Sequence, residues 1–261
     1  MRMSASNILK GFYESVYNAS WHHVVEVPGG KGTGMEVRRE TTQPWTYRAV
    51  GQTLERHDGV EQSGAPRPRL TVLASDKGWP YTLNAPHGAG NDLCVNSEVD
   101  RVWRIVKRDL TKWFSNFDLT LNSSPFAACV DWDARYRKSM NAGSYLLYQL
   151  LHYDIKKLQV VVHCFGSTAY VFDKTAKTVT KYMGEITSKN VLRGLRQRGM
   201  KGYIIYDVAK KGTPPDTGFA PSSGWGMIAV SSPEVSNYDE WEKQVKASPI
   251  IMNCPRQGGC E

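Results

Sequence analysis

The sequence predicts an α/β protein in which a β-rich N-terminal module precedes an incomplete parallel sheet with flanking helices. In the second half, short apolar runs alternate with helix-type segments, which is typical of strands buried on both faces. In the first half, strand-type segments meet at glycine- and proline-containing turns. The 261 residues are 41% hydrophobic and 22% charged, so the chain can bury a core. No apolar run reaches the roughly 18 residues of a membrane span, and the first residues lack the apolar stretch of a signal peptide.

Residues 1–117 are predicted to form the β-rich module, closed by a helix. Residues 5–19 have a helical pattern. The segment WHHVVEVPGGKGTGMEVRRE predicts two strands joined by a turn at Pro28-Gly29-Gly30. The segment RPRLTVLASDKGWPYTL predicts a second strand pair around Lys77-Gly78. The segment NSEVDRVWRIVKRDLTKWF predicts an amphipathic helix, because its apolar residues recur at helical spacing.

From residue 139 onward, helices and strands are predicted to alternate as in a parallel sheet covered on both faces. The predicted elements are a helix at 139–154, a buried strand at 158–165, a hairpin at 168–183, a basic helix at 187–200, a strand ending in an acid at 202–208, a strand ending in hydroxyls at 226–233, a helix at 237–245 and a last strand at 248–254. Because no closing helix follows, the pattern predicts a truncated core over residues 139–261, with residues 118–138 as a disrupted loop region.

Three local patterns contain residue types found in functional sites, but their positions argue against a phosphate loop, a metal site and a catalytic pair. The run GGKGTG, residues 29–34, lies between two strands rather than between a strand and a helix, which favours a hairpin turn over a phosphate loop. His22 and His23 are neighbours on a strand and face opposite sides, so they do not share a metal ion. The same geometry separates His163 from Cys164 as a catalytic pair. Five scattered cysteines favour a reducing, intracellular compartment.

Lys138-Ser139 opens a predicted helix with the two residue types that bind nucleotide in P-loop NTPases. In those proteins the lysine reaches the β- and γ-phosphates and the hydroxyl holds Mg²⁺. The order downstream agrees: Asp207 ends an apolar strand as a Walker B acid does, and Ser231-Ser232 end the next strand, where a polar sensor is expected. A generic α/β sheet with polar strand ends is the alternative. The order favours a P-loop NTPase-like core, with Ser139 and Asp207 as magnesium ligands if nucleotide binds.

The loop before Lys138 contains no glycine, although the Walker A pattern GxxxxGK[ST] requires glycines. A shifted reading frame explains this loss. With permitted codons, residues 130–137 are GTT GAT TGG GAC GCC CGG TAT CGG, and reading one base later gives Leu-Ile-Gly-Thr-Pro-Gly-Ile-Gly, which completes GTPGIGKS. Trp132 followed by Asp133 forces the first shifted glycine, whereas the others depend on the codons of Arg135 and Arg137. The coding DNA tests this hypothesis, and an in-frame homologue that no base shift can align contradicts it.

The second half is basic, because residues 131–261 hold 18 Lys and Arg against 12 Asp and Glu. Clustered cations are typical of nucleic-acid contact, since binding neutralises phosphates, but the sequence has no aromatic-interleaved RNA-binding signature, which favours a solvated basic surface. The candidate contact residues lie on or near one predicted helix: Lys189, Arg193, Arg196, Arg198 and Lys201.

The chain resembles the retrotransposon hot spot (RHS) family, a large multigene family of trypanosomes. The resemblance covers nearly the whole chain and includes YESVYNASWHHVVEVPGGKGTGMEV, LTVLASDKGWPYT, AGSYLLYQLLHYD, GMKGYIIYDVAKKGTPPDTGFAP and GWGMIAVSSPEVSNY. It implies a P-loop that binds ATP or GTP with magnesium in intact members, and a nuclear or perinuclear location. It also implies links to chromatin, the transcription machinery and RNA export.

Three departures from the family pattern change that expectation. Only about ten residues precede YESVYNA, the loop at 121–137 does not match, and the tail departs after IIMNCP. The same base shift turns residues 256–261 into an acidic Asp-Lys-Glu-Asp-Val. We therefore expect a truncated, non-catalytic member with no bound nucleotide cofactor and an irregular segment at 119–136. The alternatives are an active ATP- or GTP-binding NTPase, a basic nucleic-acid-binding module, and a pseudogene product.

Overall fold

The chain is described by a computed structural model over residues 6–28, 35–41, 69–83, 91–95, 97–116, 127–131, 138–208, 215–219, 224–231, 241, 243–244 and 247–251. Within these residues the strands are β1 (Ser6–Ile8), β2 (Ser20–Pro28), β3 (Met35–Thr41), β4 (Arg69–Ala74), β5 (Asp92–Val95), β6 (Ala127–Asp131), β7 (Val160–Phe165), β8 (Thr168–Asp173), β9 (Thr178–Met183), β10 (Gly202–Asp207), β11 (Trp225–Val230) and β12 (Ser248–Ile251). The helices are α1 (Phe12–Tyr17), α2 (Ser97–Asn116), α3 (Lys138–His152) and α4 (Glu185–Gln197), with a 3₁₀ turn at Thr217–Phe219.

The larger sheet contains the predicted parallel core. Its strand order is β1-β9-β8-β7-β10-β11-β6-β12. The five strands from β7 to β12 in this order pair in parallel, whereas β8, β9 and β1 extend one edge in antiparallel fashion. Every residue of β10 and β11 is buried, as continuous apolar runs predict for strands covered on both faces. The predicted α/β class is therefore confirmed.

The smaller sheet is antiparallel, in the order β3-β2-β4-β5. The predicted hairpin is present, because β2 pairs with β3 from His22 opposite Thr41 to Pro28 opposite Met35; its turn lies outside the described residues. The second predicted strand pair is wrong. Strand β4 pairs with β5, and the residues after Gly78 form a turn in which Trp79 and Thr82 bond to each other. This local bonding takes the place of a strand ladder.

The predicted helix at 5–19 is wrong in its first part. Residues Ser6–Ile8 form β1, which pairs with β9 at the edge of the larger sheet. Helix α1 begins only at Phe12, after Gly11 turns the chain with a φ of 68°, a left-handed conformation that glycine adopts without steric cost. The first described strand, β1, therefore lies in the larger sheet. The two sheets are not separated along the sequence at the proposed module boundary, residue 117.

The expectation of an irregular segment at 119–136 is wrong for Ala127–Asp131. These residues form β6, which pairs with both β11 and β12 and so lies inside the parallel sheet. Its sequence, Ala-Ala-Cys-Val-Asp, supplies small and apolar residues, and pairing on both sides satisfies its backbone groups. The rest of 119–136 lies outside the described residues. The parallel sheet thus has an interior strand directly before the loop.

Helix α3 is the packing centre of the fold. It contacts β7 and β10 of the larger sheet on one side and β5 and α2 on the other. The predicted apolar stripe of Leu146, Leu147, Leu150 and Leu151 is buried. The buried Lys174 ammonium donates hydrogen bonds to the carbonyls of Leu150 and Tyr153, at the carboxyl end of the helix where the backbone dipole favours a cation. The opposite face of the larger sheet is covered by Leu192 and Leu195 of α4 and by Trp241.

Two of the predicted helices in the second half are well placed by the sequence, and a third is only partly described. Helix α4 begins at Glu185, and α3 begins at Lys138 as the pattern indicates. Of the helix predicted at 237–245, the structure describes Trp241, Lys243 and Gln244, which are helical. Within the described residues, no helix has the length and apolar character needed to cross a bilayer.

Replacing Gly202 by alanine is expected to destabilise the fold by about 3 kcal/mol through overpacking. An added Cβ would lie 2.4 Å from the ring of Trp225, which is fully buried and donates a 2.7 Å hydrogen bond to the carbonyl of Met200. Chemical denaturation measures the loss. The matched control is Gly194→Ala in α4, where the nearest atom is 4.0 Å from the added Cβ, and a gain of about 0.5–1 kcal/mol is expected. Equal stability of the two variants would contradict this packing.

Candidate functional site

The candidate site lies at the edge of the larger sheet where its parallel strands end. The register places Asp207 of β10 opposite Val230 of β11, and Val230 opposite Val130 of β6. Because adjacent strands are about 4.8 Å apart, Asp207 lies about 10 Å from the end of β6. Ligands of open α/β sheets bind at this carboxyl edge. The strand that leads into α3 and the predicted Walker B strand are therefore brought to one edge, separated by β11.

The connection from β6 to α3 has the length of a Walker A loop. Strand β6 ends at Asp131 and α3 begins at Lys138, which leaves the six residues 132–137 between them. In GxxxxGK[ST], six residues likewise precede the lysine. Lys138 and Ser139 are thus the first two residues of the helix that follows an interior parallel strand, although their side chains lie outside what the structure describes. Their positions match the P-loop arrangement, while the sequence before them does not.

Asp207 is almost enclosed by protein. Its side chain belongs to a residue that is 6% exposed, and its Oδ2 atom accepts a 2.5 Å hydrogen bond from the hydroxyl of Tyr81. Burial raises the pKa of this carboxyl from 3.8 to about 6, and the bond from Tyr81 opposes that rise. Asp207 faces the same side of β10 as Tyr203 and Ile205, which belong to the core built around α3. The acid therefore points toward the α3 side of the sheet, as a magnesium-binding acid must.

Tyr81 is the residue of this site that the sequence did not reveal. It comes from the turn after β4, in the N-terminal part of the chain, 126 positions from Asp207. Its ring lies edge-on to Phe165, with centroids 4.8 Å apart, and edge-on to His163 at 6.3 Å. No spacing rule connects residues so distant in sequence. Its only local signal is its place in a turn rich in aromatic and hydroxyl residues, which does not specify a partner.

His163 is a buried histidine beside the acid. It is fully buried on β7, and neither ring nitrogen has a hydrogen-bond partner among the described residues. Burial lowers its pKa to about 3, so the ring is neutral at physiological pH. It packs against Gly143 of α3, whereas Cys164 faces the opposite side of the sheet, where burial raises the pKa of its thiol. The two residues lie on opposite faces and cannot form a catalytic pair.

The predicted polar sensor is only partly described. Ser231 follows the last residue of β11 and is buried, at 2% exposure, on the strand between β10 and β6. Ser232 lies outside the described residues. Ser231 therefore stands between the strand of the acid and the strand that leads to Lys138, which is where a side chain could contact a bound phosphate.

The basic side chains predicted to contact nucleic acid on or near α4 differ in how far they are available to solvent. Lys189 forms ion pairs with Glu185 at 2.6 Å and Asp216 at 2.8 Å, and these bonds raise its pKa. Arg196 lies over the ring of Trp225 at 5.5 Å and is partly buried. Arg193 and Arg198 are exposed, and Lys201 is half-buried. Lys189 and Arg196 are thus engaged within the protein rather than turned wholly to solvent.

We expect the substitution Asp207→Asn to stabilise the protein near neutral pH. Because the folded-state pKa of about 6 exceeds the ordinary 3.8, ionising this carboxyl destabilises the fold as pH rises through 6, by up to about 3 kcal/mol. The gain in the variant should be complete at pH 7.5 and absent below pH 4, where the carboxyl is protonated in both states. Thermal unfolding across this range measures it. A gain that persists unchanged at acid pH would contradict the raised pKa.

The residues at this edge do not fit a magnesium nucleotide as the chain stands. The loop of six residues lacks the glycines whose backbone surrounds the phosphates, and the one described carboxylate at the edge is enclosed and bonded to Tyr81. A helix amino terminus and a strand-end acid remain, which are two parts of such a site. The helix start and the strand-end acid therefore occupy the positions they have in a P-loop site, but the glycines of the phosphate-binding loop are absent from the sequence.

Comparison with known protein families accounts for both halves of the chain. The domain described as "Retrotransposon hot spot protein, P-loop domain" matches residues 134–260. The domain described as "Retrotransposon hot spot proteins N-terminal" matches residues 13–123. No curated protein matched the chain. With a P-loop domain over six of the eight strands of the larger sheet and the family's N-terminal domain before it, the chain belongs to the retrotransposon hot spot family.

Proposed function

We propose that this chain is a non-catalytic retrotransposon hot spot protein whose nucleotide loop is damaged. One observation carries the proposal. The segment between β6 and α3 has the length of a Walker A loop, but its sequence, Trp-Asp-Ala-Arg-Tyr-Arg, contains no glycine. The fold around the loop is retained, with an interior strand before it and a helix after it. This supports a loss of the phosphate-binding segment rather than of the surrounding sheet.

The physical reason lies in the backbone. A phosphate loop directs successive N–H groups at one anion, and glycine allows both the positive φ angles and the close approach this requires. Arg135, Tyr136 and Arg137 carry Cβ atoms that make these conformations costly. Two arginines attract phosphate as charges, but Asp131 and Asp133 oppose that attraction. Binding of ATP or GTP, and the Mg²⁺ that Ser139 and Asp207 would hold, is expected to be lost or severely weakened.

A turnover assay tests the catalytic part of this proposal. The purified chain with Mg-ATP or Mg-GTP is expected to release phosphate no faster than a buffer blank, and Lys138→Ala is expected to change nothing. Turnover above the blank that Lys138→Ala abolishes would establish the alternative, an active NTPase. The alanine variant separates true activity from a contaminating ATPase, since a contaminant is indifferent to this residue.

The family role is a second part of the proposal. Membership supports a nuclear or perinuclear location and association with RNA, chromatin or the transcription machinery. The exposed Arg193 on α4 and Arg198 directly after it supply cations for such contacts, whereas Lys189 and Arg196 are engaged within the protein. Cell fractionation of the tagged chain tests the location. Exclusion from the nuclear fraction would contradict it.

A further inference from the structure

An open groove lies beside helix α4, where the helix packs against β9. Tyr182 of β9 forms one side of the groove, and a stripe of residues from Ile186 through Asn190 and Gly194 to Arg198 forms the other. The groove has a volume of about 610 Å³. At about 1.5 Å per residue, the stripe is about 18 Å long, or roughly three helical turns. The groove is therefore long enough to hold a helix of that length.

Two large apolar side chains on this side of the sheet are open to solvent. Ile186 is 76% exposed, and Ile8 of the edge strand β1 is 61% exposed. Ile8 pairs with Thr180 of β9, which lies two residues from Tyr182, so Ile8 shares the face of the sheet on which Tyr182 packs. Helix α4 packs on β8 and β9 of this face. A second helix beside α4 would cover both isoleucines and extend the helix layer of an α/β sheet.

The charge along the groove is positive. Arg198 is exposed, and its Nη1 atom lies 4.0 Å from the position of a Cβ at Gly194. Among the described residues that line the groove, none is a carboxylate. Glu185, at the start of the helix, is paired with Lys189 at 2.6 Å. A complementary ligand therefore presents apolar groups along the groove and negative charge to Arg198.

These features favour a protein segment over a nucleic acid. A nucleic-acid strand carries a phosphate on every nucleotide and is held by several cations along its path. Of the basic residues predicted to contact nucleic acid, Arg198 alone is among the described lining of the groove, while Lys189 is ion-paired and Arg196 lies over Trp225. Acidic residues are stabilised in the first turn of a helix. A helix that docks antiparallel to α4 therefore places such residues beside Arg198.

We propose that this groove is the docking site for an amphipathic helix of a protein partner, with an acidic first turn at Arg198 and apolar side chains against Ile186 and Tyr182. Recognition is of the helix-in-groove type, in which apolar residues at helical spacing anchor the partner. The site goes beyond the proposed function, because the groove lies on the face of the larger sheet opposite the one that α3 covers. Its occupancy is therefore independent of the nucleotide loop.

Fluorescence anisotropy of a labelled synthetic peptide with the full chain tests this site. The probe is an amphipathic peptide of about 18 residues, long enough to be helical, with glutamates in its first turn and a leucine stripe. The control peptide has lysines in place of the glutamates. The acidic probe is expected to bind saturably and about tenfold or more tightly than the control. Equal binding of the two peptides, or no saturable binding of the acidic one, overturns the proposal.

Matched charge reversals locate the binding. Arg198→Glu is expected to weaken the acidic probe by about tenfold, whereas Arg193→Glu, on the same helix but outside the described lining, should change its affinity by less than about twofold. Both arginines are exposed, so both variants should fold. Equal losses in the two variants would contradict a site in the groove. Short single-stranded RNA that binds in place of the acidic peptide, and is weakened equally by both variants, would assign this surface to nucleic acid instead.

Filling the groove provides a second test in a protein that remains folded. Gly194→Glu places a carboxylate beside Arg198, and the nearest atom is 4.0 Å from the added Cβ, so the helix accommodates the change and gains helix propensity. This variant should lose at least about tenfold in affinity for the acidic probe without loss of thermal stability. Unchanged affinity in Gly194→Glu would overturn the proposal.

Discussion

Restoring the glycines of the loop is expected to create a nucleotide-binding protein from this chain. The variant converts residues 132–137 to Gly-Thr-Pro-Gly-Ile-Gly by Trp132→Gly, Asp133→Thr, Ala134→Pro, Arg135→Gly, Tyr136→Ile and Arg137→Gly. The loop length, the preceding strand and the following helix are already in place, so these substitutions add the backbone cradle that they lack. Affinity for Mg-ATP should rise by about a thousandfold, equivalent to about 4 kcal/mol.

Two control variants test whether the gain in nucleotide affinity comes from phosphate binding by the restored loop. Adding Lys138→Ala to the restored loop should remove most of the new affinity, because the lysine contacts the β- and γ-phosphates in a P-loop. A shuffled loop that contains the same three glycines out of register should bind no better than the unaltered chain. If the restored loop folds but does not bind, the cause of the loss lies elsewhere at the strand edge.

Replacing His163 by leucine is expected to remove much of the protein's sensitivity to acid. The folded chain holds this ring neutral, with a pKa of about 3, whereas an exposed histidine titrates near 6.5. As pH falls from 6.5 toward 3, the unfolded chain binds a proton that the folded chain does not, so stability is lost. The full effect is up to about 5 kcal/mol. Leucine also removes two buried ring nitrogens that have no hydrogen-bond partner within the described part of the chain, and it should stabilise the fold by about 1–3 kcal/mol at pH 7.

Urea unfolding at several pH values measures this change. Asp207 acts in the opposite direction between pH 4 and 6, because its raised pKa favours the folded state at acid pH. The double variant His163→Leu/Asp207→Asn should therefore have the flattest pH profile of the set. A slope below pH 6.5 that is the same with and without His163 would show that this ring is protonated in the folded chain.

The sequence predicted those parts of the fold that local patterns determine. The largely apolar runs of β7, β10 and β11 predict buried strands by their continuity, the leucine stripe of α3 predicts a buried helix face by its spacing, and each is found. The sequence also placed Asp207 at the end of its strand and Lys138 at the start of its helix. These positions follow from where apolar runs stop and helical spacing begins.

Long-range pairing produced the errors. The short segment Ser6–Ile8 has a helix-like pattern but becomes an edge strand because β9 offers it an unpaired edge. Strand β6 was expected to be irregular, yet two neighbouring strands supply partners for its backbone. Tyr81 joins the site by a contact across 126 positions, which no local pattern encodes. The sequence therefore failed to predict strand pairing and side-chain contacts between segments that are distant in sequence and meet only in the folded chain.

Isothermal titration of the unaltered chain with Mg-ATP and Mg-GTP tests the central claim most directly. That claim is that the P-loop fold persists while the phosphate-binding backbone is lost. We predict no binding heat in the micromolar range for either nucleotide, from protein that unfolds cooperatively. Saturable binding with a micromolar dissociation constant would contradict the account, because it would show that a loop without glycine still holds the phosphates.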